Sequence, residues 1–338
     1  MGGIYLPSGF LDQNYIYNEA KRIGAAFIVE LGARQVGKTY GCLQLQIRNK
    51  NRFILMRRTK DEAKFIANGA INPFLALGET GIYTKTISEY TGGIFNADDQ
   101  QIGLIMSLNT VAKIRGFYGG DYSDLVYDEF IPEAHVSRIR NEGDAFLNAV
   151  VTISGNRELE GKPPLLTWLL ANSNNIASPI LSALNLQDKI ESMIIKGQEF
   201  SAMPDRGVVI VMPKSEKILN KRKENALIKA AGEQSKFYQM AYENRFAYND
   251  AEHVGQRPLG DYKALFAVDG KLTVHQRKGK RELYVTPFRK CDRVYTDSPR
   301  GYREMLLHYP DLKVLYTTGH TYFQNLITKQ IYVDIIKV

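Results

Sequence analysis

The chain has 338 residues, of which 44% are hydrophobic and 24% charged; that balance excludes disordered, collagenous and coiled-coil classes and predicts two domains, or one large domain with an appendage. Two cysteines, Cys42 and Cys291, exclude a disulfide framework and a cysteine zinc site, and the five scattered histidines show no ligand spacing, so any metal is held by oxygen. The net charge of +8 is uneven, with 20 Lys+Arg against 21 Asp+Glu in residues 1–200 and 24 against 15 in residues 201–338.

No apolar run approaches bilayer length, and the start MGGIYLPSGFLDQNYIYNEAKR lacks a basic segment followed by an apolar one, so a cytosolic protein is expected. Short apolar strands are predicted at 26–31, 53–56, 103–107, 125–127, 165–170 and 208–212. Helical patterns at 38–48, 60–68, 144–151 and 179–183 alternate with them. Such alternation is the pattern of a doubly wound parallel sheet, here over residues 1–212. Beyond Pro213 the chain is rich in lysine and helix formers, which predicts a helical connector over 213–249. Residues 250–338 read as a small α+β domain. Two or three antiparallel strands turn at Asp269-Gly270, and further strand-like segments at 313–319 and 329–338 flank a helix near 300–308. The positive excess lies in this last part, which points to a polyanion partner; a solvated basic face is the plain alternative.

Gly32-Ala33-Arg34-Gln35-Val36-Gly37-Lys38-Thr39 satisfies G-x-x-x-x-G-K-[ST] and stands between a predicted strand and a predicted helix. In that setting glycines let backbone N–H groups turn inward around a phosphate, and the helix N-terminus adds partial positive charge. Lys38 then reaches the β- and γ-phosphates of a nucleotide, and the Thr39 hydroxyl takes one position on Mg²⁺. Ninety positions after Lys38, the strand Asp124-Leu125-Val126-Tyr127 runs into Asp128-Glu129. Asp128 is placed to hold the metal through water, and Glu129 to orient and deprotonate an attacking water. The pair predicts hydrolysis of ATP to ADP and phosphate.

Further positions extend the reading. Asn172 closes the next apolar strand, where it can sense the γ-phosphate or satisfy a loop. Arg157, in a polar loop before that strand, is a candidate for a finger donated to a neighbouring subunit, with a structural role as the alternative. Arg57, Arg58, Lys60 and Lys64 concentrate charge at one strand end, the two lysines sharing a helix face, where they can grip a phosphodiester backbone or pair with neighbouring acids; with Arg115, in a glycine-rich loop that suits a substrate-facing element or a hinge, they are the candidate DNA contacts.

GARQVGKT, FILMRRTK, the stretch from Arg115-Gly116 to LVYDEF and that from NRE to LLAN resemble, in order and spacing, the DNA-packaging ATPases of small tailed bacteriophages. This phi-29-like group comprises short relatives of the large terminase subunits. The resemblance covers roughly residues 20–180 through specific motifs and the rest by length and domain order. It implies a P-loop (ASCE/RecA-like) ATPase domain and a C-terminal domain of RNase H-like fold. It also implies an ATP- and Mg²⁺-dependent ring, of five subunits, at the portal vertex of a prohead in the host cytoplasm, driving double-stranded DNA inside. Lys38, Thr39, Asp128 and Glu129 match the family's catalytic positions, Gly32 and Gly37 its phosphate loop, and Arg34 its loop arginine. At the finger this chain has Gly155-Asn156-Arg157, where arginines are expected on both sides of the asparagine. Asp269, Asp292, Asp297, Asp311 and Asp334 form no strand-centred carboxylate triad, so the C-terminal domain reads as a vestigial nuclease with a docking role, and its charge permits a structural RNA as partner. The competing readings are a terminase with a working nuclease and an adaptor that binds nucleotide without hydrolysing it.

Overall fold

The computed structural model describes residues 3–78, 81–111, 117, 119–132, 139, 141–172, 176–214, 216–222 and 253–337. The chain divides into two compact units. One comprises Met1–Asn174, Ser178–Leu186 and Lys196–Ala247; the other Asn175–Ala177, Gln187–Ile195 and Tyr248–Val338.

The first unit begins with α1 (Gln13–Arg22), started by Asp12, whose carboxylate accepts from the amides of Asn14 and Tyr15. Then come β1 (Phe27–Gly32), α2 (Lys38–Arg48), β2 (Phe53–Arg57), α3 (Lys60–Ala67), β3 (Tyr83–Thr86), β4 (Gly92–Phe95), β5 (Gln101–Ser107) and α4 (Leu108–Val111). After them follow β6 (Asp124–Asp128), α5 (Glu142–Ser154), β7 (Leu166–Asn172), α6 (Pro179–Ala183), β8 (Phe200–Met203), β9 (Val208–Val211) and α8 (Glu216–Arg222), while α7 (Gln187–Lys196), between α6 and β8 in the chain, falls to the second unit up to Ile195. Nine strands make one sheet in the order β3-β4-β5-β2-β6-β7-β1-β9-β8. The six from β5 to β9 are parallel, and β4, β3 and β8 are antiparallel additions at the edges. The inner strands are apolar on both faces because helices cover both, so Ile28, Leu55, Val126 and Trp168 enter the core with at most 1% exposure. β7 lies between β1 and β6, so the phosphate-loop strand and the acidic strand are one strand apart, with their carboxyl ends on the same edge.

Six predicted strands and four predicted helices are present in this unit. The edge strands β3, β4 and β8 had no counterpart in the sequence reading, because exposed edge strands such as β3 carry no continuous apolar run. Of the connector expected at 213–249, residues 216–222 form α8, and residues 223–249 lie outside the described residues.

The second unit carries α7 and a five-stranded sheet. Its strands β10 (Tyr262–Val268), β11 (Leu272–Arg277), β12 (Leu283–Pro287) and β13 (Val294–Tyr295) are followed by α9 (Pro299–His308), α10 (Leu312–Thr317), β14 (Thr321–Phe323) and α11 (Leu326–Ile336). The order is β13-β10-β11-β12-β14, with an antiparallel centre and parallel edges. Gly270, at φ +65°, makes the β10–β11 turn as expected. The segments expected as strands at 313–319 and 329–338 are instead largely helical. Asn325 caps α11 by accepting from the Thr328 amide, and Glu191 of α7 accepts from the Leu326 amide at 2.9 Å. Tyr332, Val333, Ile335 and Ile336 then pack on Phe266, Val274 and Phe323 of the sheet, and that burial overrides their β propensity. Among the described residues, no helix is long and apolar enough to cross a membrane.

Candidate active site

The site forms where β1, β7, β6 and β2 end along one edge of the first sheet. Gly32 closes β1 because a Cβ there would lie 2.7 Å from Pro213 Cγ. Gly37, at φ +96°, turns the loop into α2. Lys38, the first residue of α2, is 7% exposed, and its Nζ donates to the carbonyls of Gly32 (3.0 Å) and Ala33 (2.7 Å). Burial lowers its pKa to about 8, against the opposing pull of Glu30 and Asp128. Asn172 Oδ1 stands 3.5 Å from the same ammonium, because Gly32 and Asn172 are register partners at the ends of β1 and β7.

Thr39 Oγ1 donates to Asp128 Oδ1 at 2.8 Å, joining the start of α2 to the end of β6 across β7. Burial raises the Asp128 pKa, while Arg57 and the Thr39 hydroxyl act in the other direction. Glu129 leaves the strand at φ +56°, a left-handed conformation unusual for a residue with a side chain, and its side chain is 57% exposed. Arg57, at the end of β2, reaches both acids, with Nη1 2.8 Å from Asp128 Oδ2 and Nη2 on Glu129 Oε2. Burial opposes its charge, yet Asp128 and Glu129 raise its pKa above the usual value. The structure thus brings Lys38, Thr39, Asp128, Glu129 and Asn172 together, with Arg34 exposed on the loop.

Beside the loop opens a cavity of about 570 Å³ lined by Leu6, Phe10, Gln35, Tyr40, Gln44 and Arg48. Its volume and its two aromatic rings suit a nucleobase. Residues before α1 form one wall, held to the loop by the Leu11 amide donating to the Val36 carbonyl at 3.1 Å. Sequence reasoning missed this wall, since nothing local in residues 5–12 ties them to the loop. It also missed Glu30, which is fully buried in β1; the one signal was a charge inside an apolar strand.

Residues 11–277 match the sequence profile of a family described as podovirus DNA encapsidation protein (Gp16). The chain belongs to that family. Its fold is also that of two solved motors. The bacteriophage phi-29 viral genome packaging motor assembly aligns over 97% of this chain and 98% of its own, with 18% identity and a TM-score of 0.62. The phi-28 gp11 DNA packaging motor aligns over 93% and 95%, with 16% identity and a TM-score of 0.54. No curated protein matches the chain in sequence.

The remaining candidates sit differently from expectation. Arg58 is 1% exposed and ion-paired with Glu142 of α5 at 2.6 Å, so it is no DNA contact. Burial of its aliphatic stem and pairing of its head select the inside position. Arg57 belongs to the acid pair. Lys60 and Lys64 line one shallow cleft of about 190 Å³ with Ser88 and Tyr90, and Lys60 pairs with Glu89 at 2.6 Å. Arg157 is 7% exposed and donates to the carbonyls of Gly120, Tyr122 and Pro163 of its own chain. In this conformation its guanidinium is internal and braces the α5–β7 loop, which is the structural alternative to a finger presented to a neighbour. Arg115 lies outside the described residues.

Proposed function

We propose that this protein is an ATP-hydrolysing motor that moves double-stranded DNA into a prohead. The observation that carries the reading is the hydrogen bond from Thr39 of the phosphate loop to Asp128, with Lys38 on one side and Glu129 on the other. Gly32 to Thr39 and the start of α2 receive the nucleotide phosphates, Lys38 exchanging its loop carbonyls for phosphate oxygens. Thr39 and Asp128 fit Mg²⁺ as a hydroxyl and a carboxylate one hydrogen bond apart, and that ion supplies charge neutralisation on the phosphates. Glu129 accepts the proton of the attacking water once it parts from Arg57. Asn172, between the two strand ends, is placed to read the γ-phosphate. The cavity at Phe10 and Tyr40 receives the adenine.

On this reading the protein works as a ring, of five subunits, at the portal vertex in the host cytoplasm, and Lys60 and Lys64 touch DNA. Support comes from the family, whose description is DNA encapsidation, and from the fold of two packaging motors. The C-terminal unit serves docking, to the prohead or to a structural RNA, as a vestigial nuclease. Residues 253–337 carry 15 Lys+Arg against 8 Asp+Glu, and among the described residues no three His, Cys, Asp or Glu side chains gather as a metal site.

The decisive measurement is steady-state phosphate release with prohead and DNA present. Glu129→Gln is expected to bind ATP normally and to lose turnover by at least about a hundredfold, as loss of a general base does. Retained turnover would remove Glu129 from its role. Lys38→Ala is expected to lose ATP binding itself. Plasmid incubated with Mn²⁺ should stay uncut; a linear product would favour the working terminase nuclease.

A further inference from the structure

Glu30 takes no part in the chemistry described above, yet it is a completely buried carboxyl two residues before the phosphate loop's first glycine. Its neighbours across the sheet are Leu170 and Val211, both apolar. One contact answers it: Gln13 Nε2, from the first residue of α1, donates to Glu30 Oε2 at 3.0 Å. The other oxygens of both side chains, Glu30 Oε1 and Gln13 Oε1, are buried without a hydrogen-bond partner. Two buried acceptors on an already bonded pair lack one donor between them, and a single proton on the carboxyl supplies it.

We propose that Glu30 is a neutral, protonated acid joined to Gln13 by a reciprocal pair of hydrogen bonds, and that the pair is a positioning device for the nucleotide site. Amide N–H donates to the acid, and acid O–H donates to the amide. The pair lies where the segment before α1 meets the phosphate-loop helix. A Cβ on Gly41 of α2 would lie 2.7 Å from Gln13 Cγ, and a Cβ on Gly37 would lie 3.5 Å from Phe10 Cβ. Gln13 therefore locks the wall that carries Phe10 and Leu11 against β1 and α2, so the cavity and the loop keep one spacing.

The surroundings agree. Burial pushes the Glu30 pKa up to about 8, opposed by the Gln13 hydrogen bond and the Lys38 charge. On α2 the ionisable groups near it are Lys38, whose ammonium is engaged by Gly32 and Ala33, and Cys42, whose thiol burial keeps neutral. Native Glu30 thus holds its proton from its ordinary value of 4.5 up to about 8, a range in which the unfolded chain has lost it. The native state binds more protons there, so this group makes stability fall as pH rises through that window and level off above it.

The inference rests on the nucleotide-site reading only for its binding readout. ATP affinity of the full chain by calorimetry, and melting of the nucleotide-free protein, are compared for wild type and Glu30→Gln between about pH 6 and about pH 9.5. A glutamine keeps the reciprocal pair and cannot ionise. Glu30→Gln is therefore expected to hold ATP within about threefold of wild type at neutral pH and to show a smaller weakening above about pH 8 than wild type, the part that remains being that of Lys38, whose pKa is also about 8. Its melting temperature should also lose the wild-type decline with pH. Tenfold weaker binding by Glu30→Gln at neutral pH with unchanged melting would show that the charge is needed and overturn the proposal. An alkaline weakening as large in Glu30→Gln as in wild type would overturn it by assigning the whole limb to Lys38. If neither protein binds ATP, the nucleotide reading fails, and the melting profiles still decide Glu30. If Glu30→Gln does not fold, the infrared carbonyl band of a protonated carboxyl in wild type, titrating near pH 8, takes its place; absence of that band counts against the proposal.

Discussion

Arg57 and Arg157 show how little an arginine's position in the sequence says about its work. Arg57, at a strand end rich in positive charge, has the appearance of a DNA contact, yet its guanidinium is the cation that Asp128 and Glu129 share. Removing it leaves Asp128 buried with the Thr39 hydroxyl but without its paired cation. Arg57→Ala is expected to destabilise the nucleotide-free protein by about 3 kcal/mol, the scale of breaking a buried pair. Mg²⁺ with ADP should restore much of the loss, because the metal supplies charge to the same carboxylate; an equal melting deficit with and without Mg·ADP would contradict this. Arg157 has three carbonyl partners within its own chain. Arg157→Ala should cost about 2–3 kcal/mol of stability through buried carbonyls left without donors. Turnover per folded molecule should fall by less than about tenfold, whereas a finger is worth far more. A thousandfold loss of turnover at unchanged melting temperature would reinstate the finger.

At the scale of elements, the β2–α3 junction joins the acid site to the candidate DNA contacts. Arg57 ends the strand, Arg58 anchors it to α5 through Glu142, and Thr59 caps the helix that carries Lys60 and Lys64. The cap is reciprocal: Thr59 Oγ1 accepts from the Glu62 amide, and Glu62 accepts from the Thr59 amide. Thr59→Ala is expected to cost about 1 kcal/mol, and DNA-stimulated ATPase should fall more than basal ATPase, because the helix start sets where Lys60 points. Equal effects on both rates would separate the cap from DNA. The helix α11 teaches the complementary point: KQIYVDIIKV has strand residues, but a cap at Asn325 and a sheet to cover decide its form.

For the whole molecule, charge is the organising quantity. Residues 1–200 are almost neutral, so on the proposed reading DNA is gripped there by a few placed lysines and not by bulk attraction. The surplus belongs to residues 201–338, and on the proposed reading, in which the C-terminal part docks on the prohead or a structural RNA, attachment is expected to be the more salt-sensitive step. Raising salt from about 50 to about 200 mM should release the protein from proheads before it abolishes ATP binding. Attachment that survives such salt, measured by sedimentation with proheads, would reverse that division of labour.

The linear chain by itself determined the phosphate-loop motif, the acid pair and the positions along the chain of six strands and four helices. Each is local: a glycine pattern before a helix, acids at the end of an apolar run, a period of apolar residues. Tertiary structure alone decided that β7 stands between β1 and β6, that Thr39 meets Asp128, and that the residues before α1 close a cavity beside the loop. It also turned Arg58 and Arg157 inward and made helices of strand-like segments. These outcomes depend on which distant groups share a buried space, where an unmatched charge or donor costs more than local preference can offset. Glu30 shows it most plainly: one acidic letter in FIVELG becomes, once Gln13 of another helix is set against it, a carboxyl for which a proton is the missing donor.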